Sequence, residues 1–168
     1  MAKDGIVFTG FLYAGLMIDD QGNPKTLEFN CRMGDPETQP IMSRLKTDLV
    51  TVVEHAINGS LDTIELEWDR RTAMGVVIAA AGYPDAPRKG DVISGIPAET
   101  ADSVTFHAGT QLVDGKLLTS GGRVLCVVGL ADTVKLAQKN AYEVVEKIQF
   151  AGAQYRRDIG WRALNRKH

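Results

Sequence analysis

Five side chains near residue 30 have the types and spacing of a site that handles phosphate and a metal ion. Glu28, Asn30 and Arg32 stand at alternate positions, and Asp35 and Glu37 follow them. Alternate side chains of a strand share a face, so Glu28 and Asn30 would lie about 6.5 to 7 Å apart along the backbone. A carboxylate and an amide oxygen at that spacing could hold one Mg²⁺ ion. Arg32, on the same face if the strand continues, suits a phosphate or a carboxylate.

A predicted β-hairpin presents the pair Glu28 and Asn30. Residues 11–18 form an apolar run, residues 19–24 are rich in turn-forming types, and residues 25–30 read as the returning strand. The spacing alone also fits a solvated strand face, since charged and amide side chains are mostly exposed.

Gly34 and Pro36 are expected to end that strand. Asp35 and Glu37 would then lie in a loop at the carboxyl end of the strand, where groups that contact ligands are common. Asp35 could equally cap the helix that follows.

Helical periodicity follows the loop. Apolar residues recur at helical spacing over 37–46 and again from 47 to 57, and Asn58-Gly59 offers a stop signal. We expect these two helices to pack behind the hairpin.

The second half of the chain reads as a small, mostly antiparallel β domain. The periodicity changes near residue 60, which predicts an amino-terminal part over 1–60 and a second domain over 61–168. A helix capped by Asp132 or Thr133 should cover one side of this domain, and the basic tail over 150–168 fits a solvated or interdomain surface. The predicted strands are 73–81, 91–94, 104–109, 111–113, 116–119 and 123–130, with Asp114-Gly115 as a hairpin turn. The fold class is therefore α+β.

Gly121-Gly122-Arg123 is a further candidate for binding substrate. Glycine allows a backbone to approach a ligand closely, and Arg123 could contact a phosphate or carboxylate. A tight turn is the alternative interpretation. The sequence lacks the Gly-x-x-x-x-Gly-Lys-Ser/Thr pattern of a P-loop and the Gly-x-Ser-x-Gly context of a hydrolase nucleophile.

Composition favours a small-molecule substrate. The net charge of −2 gives no basic footprint for nucleic acid. No run approaches the roughly 20 apolar residues that span a bilayer, and no signal peptide is recognisable, so a cytoplasmic protein is expected.

The two cysteines, Cys31 and Cys126, are expected to be reduced and buried. Side chains at odd and even positions of a strand point to opposite faces, so Cys31 should point away from Glu28 and Asn30 and into the core.

Several blocks of sequence resemble one family closely. Gly-Phe-Leu-Tyr-Ala-Gly-Leu-Met-Ile-Asp at 10–19 and Glu-Phe-Asn-Cys-Arg-Met-Gly-Asp-Pro-Glu-Thr-Gln-Pro at 28–40 resemble the last part of the ATP-grasp domain of glycinamide ribonucleotide synthetases, also called phosphoribosylamine–glycine ligases. Further similar blocks follow at 75–77, 80–84, 106–110, 121–125 and 157–162. The resemblance covers nearly the whole chain.

The resemblance implies an ATP-dependent carboxylate–amine ligase of purine biosynthesis. Its substrates would be ATP, glycine and 5-phosphoribosylamine, and its products glycinamide ribonucleotide, ADP and phosphate. Glu28 and Asn30 would hold Mg²⁺ or Mn²⁺, and Arg32 would neutralise the transferring phosphoryl group. Asp35 or Glu37 would hold a substrate amino group, either that of glycine or that of phosphoribosylamine.

Ligases of this family are more than twice as long and have further domains on the amino-terminal side. We therefore expect the present chain to be a partial enzyme that is inactive alone and needs an amino-terminal partner. Two alternatives remain at this point. One is a different ATP-grasp ligase or a related carboxylase, which would share the Glu-x-Asn pair, and the other is a non-catalytic fragment.

Overall fold

The computed structural model describes residues 2–165, and the chain divides into two compact units. One unit comprises the residues up to Thr38 together with Leu45–Asp69. The other comprises Gln39–Arg44 together with the chain from Arg70 onward. The last basic residues of the predicted tail, Arg166 and Lys167, lie outside the described residues.

The first unit contains the predicted hairpin. Strand β1, Tyr13–Ile18, pairs antiparallel with strand β2, Pro24–Asn30. Asp19 fixes the turn between them, because its Oδ1 accepts hydrogen bonds from the backbone N–H groups of Gln21 (3.0 Å) and Asn23 (2.9 Å).

The hairpin carries a β-bulge. Leu16 pairs with Thr26 but Gly15 pairs with Glu28, so Leu27 is an extra residue on β2. Counting back from the turn would predict one β1 partner for each β2 residue after the bulge. The bulge shifts each of these residues to the β1 residue that follows the predicted partner in sequence.

Two helices follow the hairpin, α1 over Thr38–Arg44 and α2 over Leu49–Ile57. Asp48 caps α2, since its side chain accepts a hydrogen bond from the backbone N–H of Thr51 at 2.9 Å. The helix ends at Ile57, with Asn58 as its carboxyl-terminal cap, and contacts a short 3₁₀ helix over Leu61–Thr63.

The second unit is organised around a central strand. Strand β3, Thr72–Ala79, and strand β4, Ser103–His107, flank strand β7, Arg123–Ala131, in an antiparallel sheet. Residues 124–131 of β7 are all buried. The centre of the core is therefore β7, and the predicted buried strand β3 lies beside it.

A separate hairpin joins strand β5, Thr110–Val113, to strand β6, Lys116–Thr119. Asp114 and Gly115 form its turn with φ angles of 48° and 74°. The strand predicted over 91–94 is wrong: this stretch makes only isolated bridges, from Val92 to Leu118 and from Ser94 to Gln149. Two backbone hydrogen bonds accompany each bridge, but no continuous ladder forms.

Helix α3, Val134–Val145, covers the sheet as predicted, with Thr133 as its cap. It approaches β7 closely at Gly129, where an added Cβ would lie 2.5 Å from the backbone nitrogen of Ala141 and would overlap the carbonyl of Ala137. The short helix α4, Trp161–Leu164, follows. The largest side chains that are fully buried include Val76, Ile78, Val124, Leu125, Val127, Val128 and Val145.

Two expectations for the first half of the chain are corrected. Residues 39–44 of helix α1 do not belong to the unit that contains the hairpin: they are part of the second unit, where Pro40 lies against Gly75 of β3. Cys31 is exposed rather than buried, whereas Cys126 is buried as expected. Strand β2 ends at Asn30, so the alternation that predicted the direction of Cys31 stops before it.

Within residues 2–165, no helix is both long enough and apolar enough to cross a membrane.

Candidate functional site

The end of β2 brings Glu28 and Asn30 together. The Asn30 side-chain amide Nδ2 donates a hydrogen bond to Glu28 Oε1 at 3.1 Å. Glu28 is exposed and Asn30 is half-buried. The two side chains therefore share one face of the hairpin, and the carboxylate is open to a ligand.

The spacing of this pair fits a small hard cation. Rotating an amide by 180° exchanges its nitrogen and oxygen, which would set Asn30 Oδ1 beside Glu28 Oε1. Neighbouring ligands of an octahedral Mg²⁺ ion, with bonds of 2.0–2.1 Å, lie about 3 Å apart. Among the described residues, no group of three or more His, Cys, Asp and Glu side chains could hold a metal ion. Waters and substrate phosphates could supply the other ligands.

Tyr13 lies on the same face as this pair. It stands directly opposite Asn30 in the hairpin, and its hydroxyl donates a hydrogen bond to Glu37 Oε1 at 3.2 Å. The charge of Glu37 raises the pKa of the Tyr13 phenol most strongly, and partial burial and the charge of Glu28 add to this effect. The nearby Arg32 charge opposes it. Both carboxylates and the guanidinium therefore act on one hydroxyl group.

Two glycines make room for these side chains. Gly15 stands opposite Glu28, and a Cβ on Gly15 would lie 3.1 Å from Glu28 Cγ. Gly34 is buried, and a Cβ there would lie 2.7 Å from Tyr13 Cε2 and would overlap the Glu37 carboxylate. A side chain at position 34 would thus occupy space that Tyr13 and Glu37 already fill.

The other predicted loop residues are less closely tied to the pair. Arg32 is exposed, and its Nη1 donates a hydrogen bond to the Met33 carbonyl at 3.0 Å. Because β2 ends at Asn30, strand alternation does not fix the direction of Arg32. Asp35 is exposed in the turn before α1.

Arg123 belongs to the second unit, where it begins β7. Its Nε donates a hydrogen bond to the Tyr83 hydroxyl at 3.0 Å. The Tyr83 ring covers Gly122, since a Cβ on Gly122 would lie 2.5 Å from Tyr83 Cδ2. Gly122 thus allows the aromatic ring to lie over this position, and the ring's hydroxyl orients the guanidinium.

Sequence reasoning missed Tyr13 and Tyr83. Tyr13 is 24 positions from Glu37, and Tyr83 is 40 positions from Arg123. The signal that could have found Tyr13 is the pairing of the hairpin strands, but simple counting from the turn places Tyr13 opposite Phe29 instead of Asn30. The bulge at Leu27 changes that pairing.

Comparison with known proteins assigns the chain to a family. Residues 73–162 match the family model described as "Phosphoribosylglycinamide synthetase, C domain". Residues 1–38 match the one described as "Phosphoribosylglycinamide synthetase, ATP-grasp (A) domain". The chain belongs to the phosphoribosylglycinamide synthetase family. The resemblance read from the motif blocks is thereby confirmed, and the positions of the Glu28–Asn30 pair and of Tyr13 fall in the part that matches the ATP-grasp domain.

Individual synthetases agree with this assignment. The chain is 75% identical over 166 residues to the phosphoribosylamine–glycine ligase of Ralstonia nicotianae, covering 99% of this chain and 39% of the relative. It is 59% identical over 167 residues to the ligase of Neisseria meningitidis serogroup A, covering 99% of this chain and 40% of the relative.

A solved structure agrees as well. The crystal structure of the phosphoribosylamine–glycine ligase from Thermotoga maritima is 44% identical, with a TM-score of 0.80 over 94% of this chain and 39% of that one. This likeness confirms the α+β fold predicted from the sequence. The chain spans about two fifths of the length of these relatives.

Proposed function

We propose that this chain is part of a phosphoribosylamine–glycine ligase of purine biosynthesis, acting in the cytoplasm. Such an enzyme joins glycine to 5-phosphoribosylamine and converts ATP to ADP and phosphate. The glycine carboxylate attacks the γ-phosphate of ATP, and the amine then displaces phosphate from the acyl phosphate. The observation that carries the proposal is the Glu28–Asn30 pair, in a chain 75% identical to a protein of that name.

Each site residue has a role in this proposal. Glu28 and Asn30 would hold Mg²⁺ or Mn²⁺, which when bound would stabilise negative charge on the phosphates of ATP. Arg32 would neutralise the transferring phosphoryl group, because its planar guanidinium matches phosphate oxygens. Asp35 or Glu37 would hold a substrate amino group. Phosphoryl transfer depends mainly on positioning and electrostatic stabilisation, which are the tasks these groups would perform.

Arg123 would contact a substrate phosphate or carboxylate from the second unit. Its hydrogen bond to the Tyr83 hydroxyl supports this role, because that bond fixes the orientation of the guanidinium, a group whose planar shape matches phosphate and carboxylate oxygens.

The partner in this proposal is the amino-terminal portion of such a ligase. The chain spans only 39% of its Ralstonia nicotianae relative. The hairpin also exposes a run of large apolar side chains, which a folded partner would cover. Their exposed fractions are 50% for Leu16, 51% for Met17, 57% for Ile18, 65% for Leu27 and 64% for Phe29. We expect the chain alone to be inactive, because segments that bind ATP and substrates would lie in that portion.

The test is an assay of ADP release with ATP, Mg²⁺, glycine and phosphoribosylamine. It is run on the chain alone, on the chain mixed with the amino-terminal portion of the Ralstonia nicotianae ligase, and on a hybrid in which the two are joined. Activity in the mixture or the hybrid, and none in the chain alone, is the expected result. A folded hybrid that is inactive with these substrates would contradict the proposal and would favour another ATP-grasp ligase, a related carboxylase or a non-catalytic fragment.

The metal assignment is tested by Glu28→Ala in the hybrid. This variant should lose metal-dependent turnover and should bind Mn²⁺ more weakly by electron paramagnetic resonance, while its circular dichroism stays unchanged. The matched control is Glu54→Ala, which removes an exposed carboxylate from α2 in the same unit. Near-normal turnover and Mn²⁺ binding in Glu28→Ala would refute the ligand assignment.

A further inference from the structure

The Tyr13 ring reaches from the hairpin to the loop after β2. Its Cε1 atom lies 3.7 Å from the position of a Cβ on Gly15, and its Cε2 atom lies 2.7 Å from the position of a Cβ on Gly34. One edge of the ring thus borders the strand position opposite Glu28, and the other edge borders the loop. Tyr13 connects the Glu28–Asn30 pair to the loop that carries Glu37.

The hydrogen bond from Tyr13 engages one oxygen of Glu37 and leaves the carboxylate otherwise able to accept. Tyr13 donates to Oε1, while Oε2 lies beside Gly34. A carboxylate offers about four acceptor positions, so one bond from a phenol does not exhaust them. An ammonium group is a strong partner for such a carboxylate.

We propose that Tyr13 is a positioning residue whose hydroxyl holds the Glu37 carboxylate beside the Glu28–Asn30 pair, where Glu37 accepts hydrogen bonds from a substrate amino group. The inference rests on the proposed function, in which both glycine and phosphoribosylamine bring an amino group to the site. Tyr13 acts through Glu37 and contacts no substrate itself. The kinetic measurements decide which of the two amino groups Glu37 binds.

The kinetic test uses Tyr13→Phe, Glu37→Gln and the double variant in the hybrid ligase. Tyr13→Phe should raise the KM for one amino substrate about tenfold, the effect of losing one hydrogen bond to a charged group, and leave the KM for ATP within about twofold. Glu37→Gln should raise the same KM further. The double variant should match Glu37→Gln, because Tyr13 acts only through that carboxylate. The matched control is Tyr142→Phe, which removes a hydroxyl bonded to the Arg156 carbonyl in the second unit.

A second measurement tests the contact without any activity. Carbon-13 labelling at Cζ of the four tyrosines allows each phenol to be titrated by NMR in the chain itself, with Tyr13→Phe used to assign the Tyr13 signal. Glu37→Gln should lower the pKa of Tyr13 toward its ordinary value, whereas Glu54→Gln should not change it.

The outcomes separate the two proposals. Three results would each overturn the inference. The first is a wild-type KM in Tyr13→Phe, and the second is a double variant in which the KM increases of the two single variants multiply. The third is a pKa of Tyr13 that Glu37→Gln leaves unchanged. An inactive wild-type hybrid would instead overturn the proposed function, and with it the substrate role of Glu37, even if the titration confirms the contact.

Discussion

Gly34→Ala should separate the stability of the hairpin unit from the geometry of its site. The backbone at Gly34 is not in the left-handed region, so alanine meets no backbone strain there. The three atoms nearest to the added methyl group all belong to side chains: Tyr13 Cε2 at 2.7 Å, Glu37 Cδ at 2.9 Å and the nearer Glu37 carboxylate oxygen. Ordinary contacts of a Cβ atom begin at 3.4 Å, so the ring must move by about 0.7 Å and the carboxyl carbon by about 0.5 Å.

This displacement is large enough to break the Tyr13–Glu37 hydrogen bond, which is already 3.2 Å long. Glu37 is exposed and flexible, so the unit can accommodate the change. The free energy of unfolding should fall by about 0.5–1.5 kcal/mol, the contribution of one hydrogen bond. The effect on catalysis should be larger, because a misplacement of about 1 Å can lower the rate roughly 100-fold.

The assay combines urea denaturation of the chain with steady-state kinetics of the hybrid ligase. Gly34→Ala should lower the urea midpoint only by the amount that corresponds to a loss of about 0.5–1.5 kcal/mol. It should also raise the KM for the amino substrate that Tyr13→Phe affects. The double variant Gly34→Ala/Tyr13→Phe should be no worse than Gly34→Ala, since both changes remove one interaction. Wild-type kinetics, or a loss of stability above about 3 kcal/mol as expected for rigid overpacking, would refute the reasoning.

Three further predictions concern other close contacts. Gly15→Ala should weaken Mn²⁺ binding by the hybrid severalfold, because Glu28 must shift by a few tenths of an ångström; unchanged binding in electron paramagnetic resonance would contradict this. Gly129→Ala should lower the free energy of unfolding by about 1–3 kcal/mol in urea denaturation, because the methyl group meets the α3 backbone; an unchanged midpoint would show that the helix can move. Burial raises the pKa of the Tyr142 phenol. The protonated phenol therefore contributes fully to the free energy of unfolding below the unfolded-state pKa near 10, and this contribution is lost as the pH rises through the folded pKa. Between pH 8 and 12 the midpoint temperature of thermal unfolding should therefore fall less steeply with pH in Tyr142→Phe than in the wild type. An equal fall in both proteins would contradict the assignment.

Local patterns in the sequence predicted much of the fold because the physics behind them is local. Asp114-Gly115 supplies the positive φ angles of a tight turn, and the predicted strand over 116–119 agrees with β6. Thr133 caps α3 through a bond to Leu136, only three residues away. The failure at Cys31 has the opposite cause. Its burial depended on where β2 ends, and strand alternation carries no information beyond Asn30.

The site shows the same division between local and non-local information. Glu28 and Asn30 could be read as a pair because residues two apart in a strand share a face whatever the strand pairs with. The partnership of Tyr13 with this pair depends on register. Counting from the turn, in which Ile18 pairs with Pro24, an unbroken ladder would place Tyr13 opposite Phe29, on the other face.

The extra residue at Leu27 changes this pairing. It shifts the register by one, sets Gly15 opposite Glu28 and brings Tyr13 opposite Asn30. A bulge commonly redirects side chains next to functional sites, and here it places the phenol of Tyr13 on the face that carries Glu28 and Asn30. The bulge therefore determines the chemistry of this face as much as the residue types do, and a reading of residue types alone could find Glu28 and Asn30 but not Tyr13.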